Sequence, residues 1–210
     1  MKIIAAVIIL AFLAGITLYI FSQNRKIDQR LQEKTKLVVD FKKMNEDLNE
    51  KFSKIPVQDI NCEDNEGGSL LLSDLVSQKP ALVFRFSELN CYTCYETELS
   101  LLKKCFSAEE QHVAILCSYQ QRRYFFAFKN HNDIQLPMFR ISQDAFDWEL
   151  EEHGVPYYFV LHSDLSVSHI YIPSTDFPEL NRQYMENIKR FLLEFQKDGK
   201  NHERNQSNHS

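Results

Sequence analysis

The feature that most constrains this chain is Cys91-Tyr92-Thr93-Cys94, set between an apolar run, Ala81-Leu82-Val83-Phe84-Arg85-Phe86, and a helix-like stretch from Tyr95 to Cys105. Two cysteines separated by two residues can close a small disulfide. When the first stands at a helix N-terminus, unpaired backbone N–H groups and the helix dipole favour its thiolate, which is the nucleophile of disulfide exchange. Strand, then dithiol, then helix is therefore a redox arrangement. Cys91 is the expected attacking thiolate, because the dipole acts most within the first turn. Cys94, one turn inside, is placed to resolve a mixed disulfide.

Beyond the dithiol, strand-like and helix-like patterns alternate. Val113 to Cys117 reads as a buried strand, and Arg122 to Lys129 as an aromatic-rich helix. Met138 to Ile141 is a short strand, and Gln143 to Glu152 a helix carrying the only tryptophan, Trp148. Tyr157–Leu161 and Val167–Ile172 are two strands at hairpin spacing, and Phe177–Phe195 is a closing helix. This order, βαβα with crossovers, then a hairpin, then a helix, predicts an α/β fold with a mixed central sheet flanked by helices. The domain is expected over residues 61–198. The stretch Asn61 to Gly68 reads as a polar, turn-rich linker, and 199–210 as a disordered polar tail.

The amino-terminal part is different. Ile3 to Phe21 carries no charge, and at about 1.5 Å per residue a helix of that length nearly spans a hydrocarbon core of roughly 30 Å. A membrane anchor over residues 1–22 is expected, with the domain on the extracytoplasmic, periplasmic side. A cleaved signal peptide is the rival, but the run is longer than an ordinary signal core and ends without a small-x-small site. Arg25, Lys26, Arg30, Lys34 and Lys36 follow the run and by themselves favour the opposite orientation. Residues 23–60 form a stalk and linker. Ile27, Leu31, Val38, Phe41, Leu48 and Phe52 share one ladder of three- and four-residue steps, so the stalk is helical and ends before Pro56. Its stripe either packs on its own domain or on the bilayer surface, or joins a weak dimer, in which Lys34 and Asn45 would occupy costly seam positions.

A net charge of −5, with both signs interspersed, gives no reason to expect a nucleic-acid partner. The five cysteines are too few and too unevenly placed for a disulfide-stapled mini-protein. No second Cys-x-x-Cys and no histidine at ligand spacing accompany the first pair, so no structural metal is expected. No nucleotide-binding loop is visible, so no cofactor is expected and electrons must come from another dithiol protein. Cys105 and Cys117 read as small core residues. Cys62 reads as a linker thiol, unpaired or joined to another subunit.

The chain resembles the thioredoxin-like superfamily, and within it the membrane-anchored redoxins and extracytoplasmic thiol-disulfide reductases. The resemblance covers about Gly67 to Phe195. It is carried by Cys91-Tyr92-Thr93-Cys94 after the first core strand and by Gly154-Val155-Pro156 leading into Tyr157-Tyr158-Phe159-Val160. It implies a cis bond before Pro156, lying against the dithiol, and a substrate chain paired with the backbone of Val155. Tyr92 and Thr93 complete the implied substrate-facing set. An inserted strand and helix account for Asp133 to Glu152. The sequence departs from the family pattern in two places. Asn90 precedes Cys91 where an aromatic residue is usual, and Arg85 stands about where a carboxylate often assists proton transfer; a guanidinium there would favour the thiolate. Glu88 and His153 are candidate proton relays, with solvated loop positions as the plain alternative. The implied function is thiol-disulfide exchange on protein cysteines. The alternative is a redox-inactive thioredoxin-fold adaptor or chaperone-like binding module.

Overall fold

The computed structural model describes residues 2–53, 55–106, 112–152 and 154–207, with side chains described between Gly15 and Phe195. The chain divides into two compact units, Met1–Met44 and Asn45–Ser210. The first is made by helix α1, Lys2–Phe52, whose last two turns belong to the second unit. The apolar run read as an anchor lies in part outside the described residues, since the side chains of 3–14 are not among them. Among the described residues no helix is long and apolar enough to cross a membrane.

The second unit is built on a seven-stranded sheet. Its strands are β1 Asn61–Glu63, β2 Ser69–Leu71, β3 Ala81–Ser87, β4 Val113–Ser118, β5 Met138–Arg140, β6 Tyr157–Leu161 and β7 Val167–Tyr171, in the order β2-β1-β5-β4-β3-β6-β7. β3 runs parallel to β4, and β4 parallel to β5, while β6 and β7 add antiparallel on the other side of β3. Every residue of β3 and β4 is buried, as a near-continuous apolar strand covered on both faces must be. Along β3 alternate residues serve different layers. Phe84 stacks on Tyr158 and Phe86 on Tyr95, at 4.6 and 4.7 Å between ring centroids. Ala81 and Val83 join the opposite core with Phe52, Phe139, Phe146 and Phe159. Helices α2 (Tyr92–Cys105), α3 (Arg122–His131) and α5 (Pro178–Ser207) complete the unit, together with a 3₁₀ turn at Leu72–Val76 and the one-turn α4, Glu149–Glu152. α2 and α5 pack together, presenting Leu99 and Leu102 from one and Met185, Ile188 and Leu192 from the other, at helical spacing.

Five expectations need correction. Asn61 to Gly68 is a hairpin rather than a linker. Asp64 Oδ1 accepts the backbone N–H groups of Glu66 and Gly68 at 2.8 and 2.7 Å, and Gly67, at φ +90°, supplies the left-handed step that the turn needs. The polar residues that looked like a spacer are the turn itself. The helix expected over Gln143–Glu152 shrinks to Glu149–Glu152, because Phe146 and Trp148 are held by aromatic contacts, Trp148 stacking on Phe52 at 5.9 Å. α5 continues through Ser207, across residues read as a disordered tail. Asn45 is a clasp rather than a dimer seam. It is 7% exposed, accepts the N–H of Ile172 at 2.7 Å, and donates to the Ile172 carbonyl. Asn49, one turn on, accepts the N–H of Ile170 at 3.1 Å. Both satisfy backbone groups along the open edge of β7, which would otherwise be buried unpaired. Finally, every peptide bond among the described residues is trans, including the one before Pro156.

Candidate functional site

β3 ends at Ser87, and the three-residue loop Glu88-Leu89-Asn90 delivers the chain to Cys91 at the cap position of α2. The loop is fixed at both ends. Asn90 Oδ1 accepts the Ser87 N–H at 2.6 Å, and the Glu88 N–H donates to the Ser118 carbonyl at 2.9 Å. Cys91 is thus placed by an inner strand of the sheet, paired with β4 on one side and β6 on the other.

Cys91 and Cys94 form a disulfide, with Cα atoms 5.3 Å apart, inside the ordinary bridging range. The two sulfurs are not equivalent. Cys91 is exposed and Cys94 half-buried. The first turn of α2 holds no carboxylate, and its last turn carries Lys103 and Lys104, so the dipole end next to Cys91 is uncompensated by negative charge. Thr93 Oγ1 lies 3.2 Å from Cys91 Sγ, close enough to donate to it. Tyr92 is 49% exposed and packs edge-on against Tyr95.

The structure brings Val155 to the same end of the sheet as Asn90; the two line one cavity with Arg85, Glu151 and Gln143. Pro156 enters β6 one residue before the pair Arg85↔Tyr157. Glu88 is half-buried, and its Oε1 accepts the Gln120 N–H at 2.6 Å, tying this loop to the one after β4. His153 lies outside the described residues.

Arg85 does not act as the free guanidinium expected beside the dithiol. It is 1% exposed, and its Nε and Nη2 bind Glu151 Oε1 and Oε2 at 2.8 and 3.0 Å, while Nη1 donates to the Phe86 carbonyl. The Tyr157 hydroxyl also donates to Glu151 Oε1, at 2.7 Å. Its positive charge is spent on a bidentate partner that sequence reasoning missed. No local signal could have found Glu151, since it meets Arg85 across 66 residues of chain.

A second missed carboxylate is Glu98, buried on α2 one turn after Cys94. The hydroxyl of Tyr158 donates to its Oε2 at 2.9 Å and the Asn181 amide to its Oε1 at 2.8 Å. Burial raises its pKa to about 7, against the smaller opposing effect of those two hydrogen bonds. It had a signal: Tyr95, Glu98 and Leu102 fall on one helical stripe, and an acid on an apolar stripe needs a reason. The consequence for stability follows from its sign. Below about pH 4.5 the acid is protonated in both states. Between 4.5 and 7 the unfolded chain ionises first, so stability falls as pH rises, by on the order of 3 kcal/mol in all. Glu98→Gln is expected to flatten that slope in urea unfolding followed from pH 4.5 to 8; an unchanged slope would show that Glu98 is not its source.

The other cysteines do not join the site. Cys62, read as a linker thiol open to another subunit, is instead fully buried in β1, and burial with Asp59 and Asp74 nearby pushes its pKa up to about 12. Cys117 is fully buried, its Sγ 3.4 Å from the Phe139 carbonyl, and burial raises its pKa strongly. Cys105 is half-buried at the end of α2.

A mixed sheet in which an inner strand leads through a short loop into a Cys-x-x-Cys capping a helix, with antiparallel β6 and β7 at its edge, is a thioredoxin-like fold. Solved structures share it. A thiol:disulfide interchange protein from Bacteroides sp. superposes with a TM-score of 0.53 at 14% identity, covering 67% of this chain and 90% of that one. The thioredoxin domain of a thiol-disulfide oxidoreductase from Bacteroides vulgatus superposes with a TM-score of 0.50 at 13% identity, covering 67% of this chain and 97% of that one. No protein-family model and no curated protein matches the chain.

Proposed function

We propose that this protein is a membrane-tethered thiol-disulfide oxidoreductase acting on cysteines of extracytoplasmic proteins. The observation that carries the chemistry is the exposed Cys91 bonded to Cys94 at the N-terminus of α2. In the reducing direction the Cys91 thiolate attacks a substrate disulfide and forms a mixed disulfide, expelling one substrate thiolate, which takes up a proton. Cys94, as its thiolate, then attacks Cys91 Sγ, closes the Cys91–Cys94 disulfide and expels the second substrate thiolate. Two electrons have passed to the substrate, and a second dithiol protein must return them. Every step is an exchange between sulfurs, so the oxidising direction uses the same two residues in reverse order. Thr93 supports the Cys91 thiolate through its hydroxyl, and Tyr92, Val155 and Pro156 face the incoming chain. Glu88 stands in the adjoining loop as a proton relay.

The tether is supported by the uncharged run from Ile3 to Phe21, and the spacer by the helix that continues from it. Extracytoplasmic placement is supported by the chemistry, since disulfides persist there. A weak dimer through the stalk would use Ile27 and Leu31, which are exposed, and not Asn45, whose amide bonds to Ile172.

Insulin-disulfide reduction by the full chain, with dithiothreitol as donor, tests the activity. A rate above the donor background, with a Cys91 thiolate titrating below the ordinary value of about 8.5, is expected. No rate and an unshifted thiol would leave the redox-inactive adaptor. A membrane-impermeant thiol reagent on intact cells, read at Cys91, tests the side on which the domain lies.

A further inference from the structure

At the end of the sheet opposite the dithiol, three side chains of the β6–β7 hairpin converge. Leu161, the last residue of β6, pairs with Ala81 at the start of β3, whereas Cys91 follows that strand's other end. Just beyond Leu161, His162 Nε2 lies 2.7 Å from Ser168 Oγ, and His169 Nδ1 lies 2.8 Å from the same oxygen. We infer that His162 and His169 form a binding site for a divalent transition-metal ion, and that Cu(II) is the ion they hold most tightly. The site is separate from the exchange chemistry and does not depend on it.

A regular strand would not gather these groups. Successive strand residues point to opposite faces, so Ser168 and His169 would stand on different sides of β7. His169 instead has φ +53°, and the β6–β7 register slips between the pairs Tyr158↔Tyr171 and Val160↔Ser168. This bulge re-aims the His169 ring toward Ser168. A histidine in the left-handed region persists only where its surroundings hold it, and here they do so from three directions. The Tyr184 hydroxyl donates to the His169 carbonyl at 2.6 Å, and the Phe191 ring lies 4.5 Å from the imidazole. The next amide, Ile170 N–H, donates to Asn49 Oδ1 at 3.1 Å. The ring is therefore in place before a ligand arrives, which lowers the ordering cost of binding.

The hydroxyl between the two nitrogens satisfies them only in part. It carries one hydrogen, so it donates to one ring and must be donated to by the other. With both nitrogens unprotonated, one lone pair meets no hydrogen; a cation at that point takes both. Burial, and after it the neighbouring His162, hold the His169 pKa below its ordinary value, which keeps that ring neutral, as a ligand must be. All three side chains are half-buried, so an ion can enter. Metal–imidazole bonds run about 2.0–2.1 Å, so each nitrogen closes by roughly 0.7 Å on the point where Ser168 Oγ stands, and the hydroxyl rotates aside. Among the described residues no third His, Cys, Asp or Glu gathers with the pair, so water completes the coordination. Two imidazoles with water oxygens suit the tetragonal geometry of Cu(II), which also heads the affinity order for such donors. Structural zinc asks for four protein ligands, and calcium and magnesium for oxygen.

The test uses the full chain with its Cys91–Cys94 disulfide intact, mixed with one equivalent of Cu(II) and followed by equilibrium dialysis and electron paramagnetic resonance. The unaltered chain is expected to retain the copper and to show nitrogen hyperfine splitting from two imidazoles. His162→Gln and His169→Asn are each expected to weaken binding at least about tenfold, the low end of what losing even an outer-shell partner costs a metal site. Asn is chosen at 169 because it tolerates the left-handed backbone. Ser168→Ala keeps both rings and is expected to bind copper as tightly as the unaltered chain. Equal retention by the histidine variants would put the ion elsewhere among the chain's seven histidines and overturn the site. No retention by the unaltered chain would overturn it too, leaving a pair that shares a proton and nothing more. A loss in Ser168→Ala as large as in the histidine variants would show that affinity follows the fold of the hairpin and not the two nitrogens, which also ends the proposal.

Discussion

Cys94→Ser is expected to accumulate covalent complexes with partner proteins that dithiothreitol releases, and Cys91→Ser is expected to accumulate none. The asymmetry follows from exposure and from helix position. Cys91 is open to an incoming chain and caps α2, where dipole and backbone N–H groups hold a thiolate, whereas Cys94 is half-buried one turn inside. Without Cys94 nothing in the site can attack Cys91 Sγ from within, because Cys62 and Cys117 are buried elsewhere and Cys105 stands at the opposite end of α2. The mixed disulfide then persists until an external thiol arrives. Without Cys91 no bond forms at all, and the exchange rate should drop by at least about 10³-fold. Non-reducing electrophoresis of the two variants, each purified from its expressing cells, reads the difference. Trapping by both, or by neither, would show that the two sulfurs do not divide the work in this way.

Glu151→Ala is expected to lower unfolding free energy by roughly 3–5 kcal/mol, a large share of the roughly 5–15 kcal/mol that holds a domain of this kind together. Arg85 is 1% exposed, and the substitution leaves its charge buried with only the Phe86 carbonyl to meet it. The Tyr157 hydroxyl loses its acceptor in the same step. Replacing both charged residues, Arg85→Met with Glu151→Leu, should recover most of the loss, because an apolar pair of similar volume carries no desolvation cost. Urea unfolding of the single and double variants gives both numbers. A single-variant loss below about 1 kcal/mol would mean that water reaches Arg85 once its partner is gone.

Two different roles for Arg85 follow from sequence and from structure. Its place in β3, a few residues before the dithiol, is visible in the chain and suggests a cation beside Cys91. What it does instead depends on Glu151, brought in by a segment whose aromatic residues prefer packing on Phe52 and Phe159 to extending a helix. The same holds for Asn45. On a helical ladder it looks like a polar flaw in a seam, and only the edge of β7 against it turns the flaw into a pair of backbone hydrogen bonds. Cys62 looked like a linker thiol because the turn residues after it mask a three-residue strand. Glu98 could have been noticed, since its stripe is apolar, but its partners Tyr158 and Asn181 come from distant elements.

The amino-acid sequence alone determined the strand–dithiol–helix unit, the alternation that builds the sheet, and which sulfur stands at the helix start. These depend on neighbours within a few residues, where periodicity and capping rules act. Tertiary structure decided which buried charges are neutralised, which cysteines are sealed away, how the strand edge is closed, and what lines the cavity beside Cys91. Those outcomes depend on side chains 60 to 130 residues apart meeting at hydrogen-bond distance, and no local pattern in a single chain encodes such a meeting.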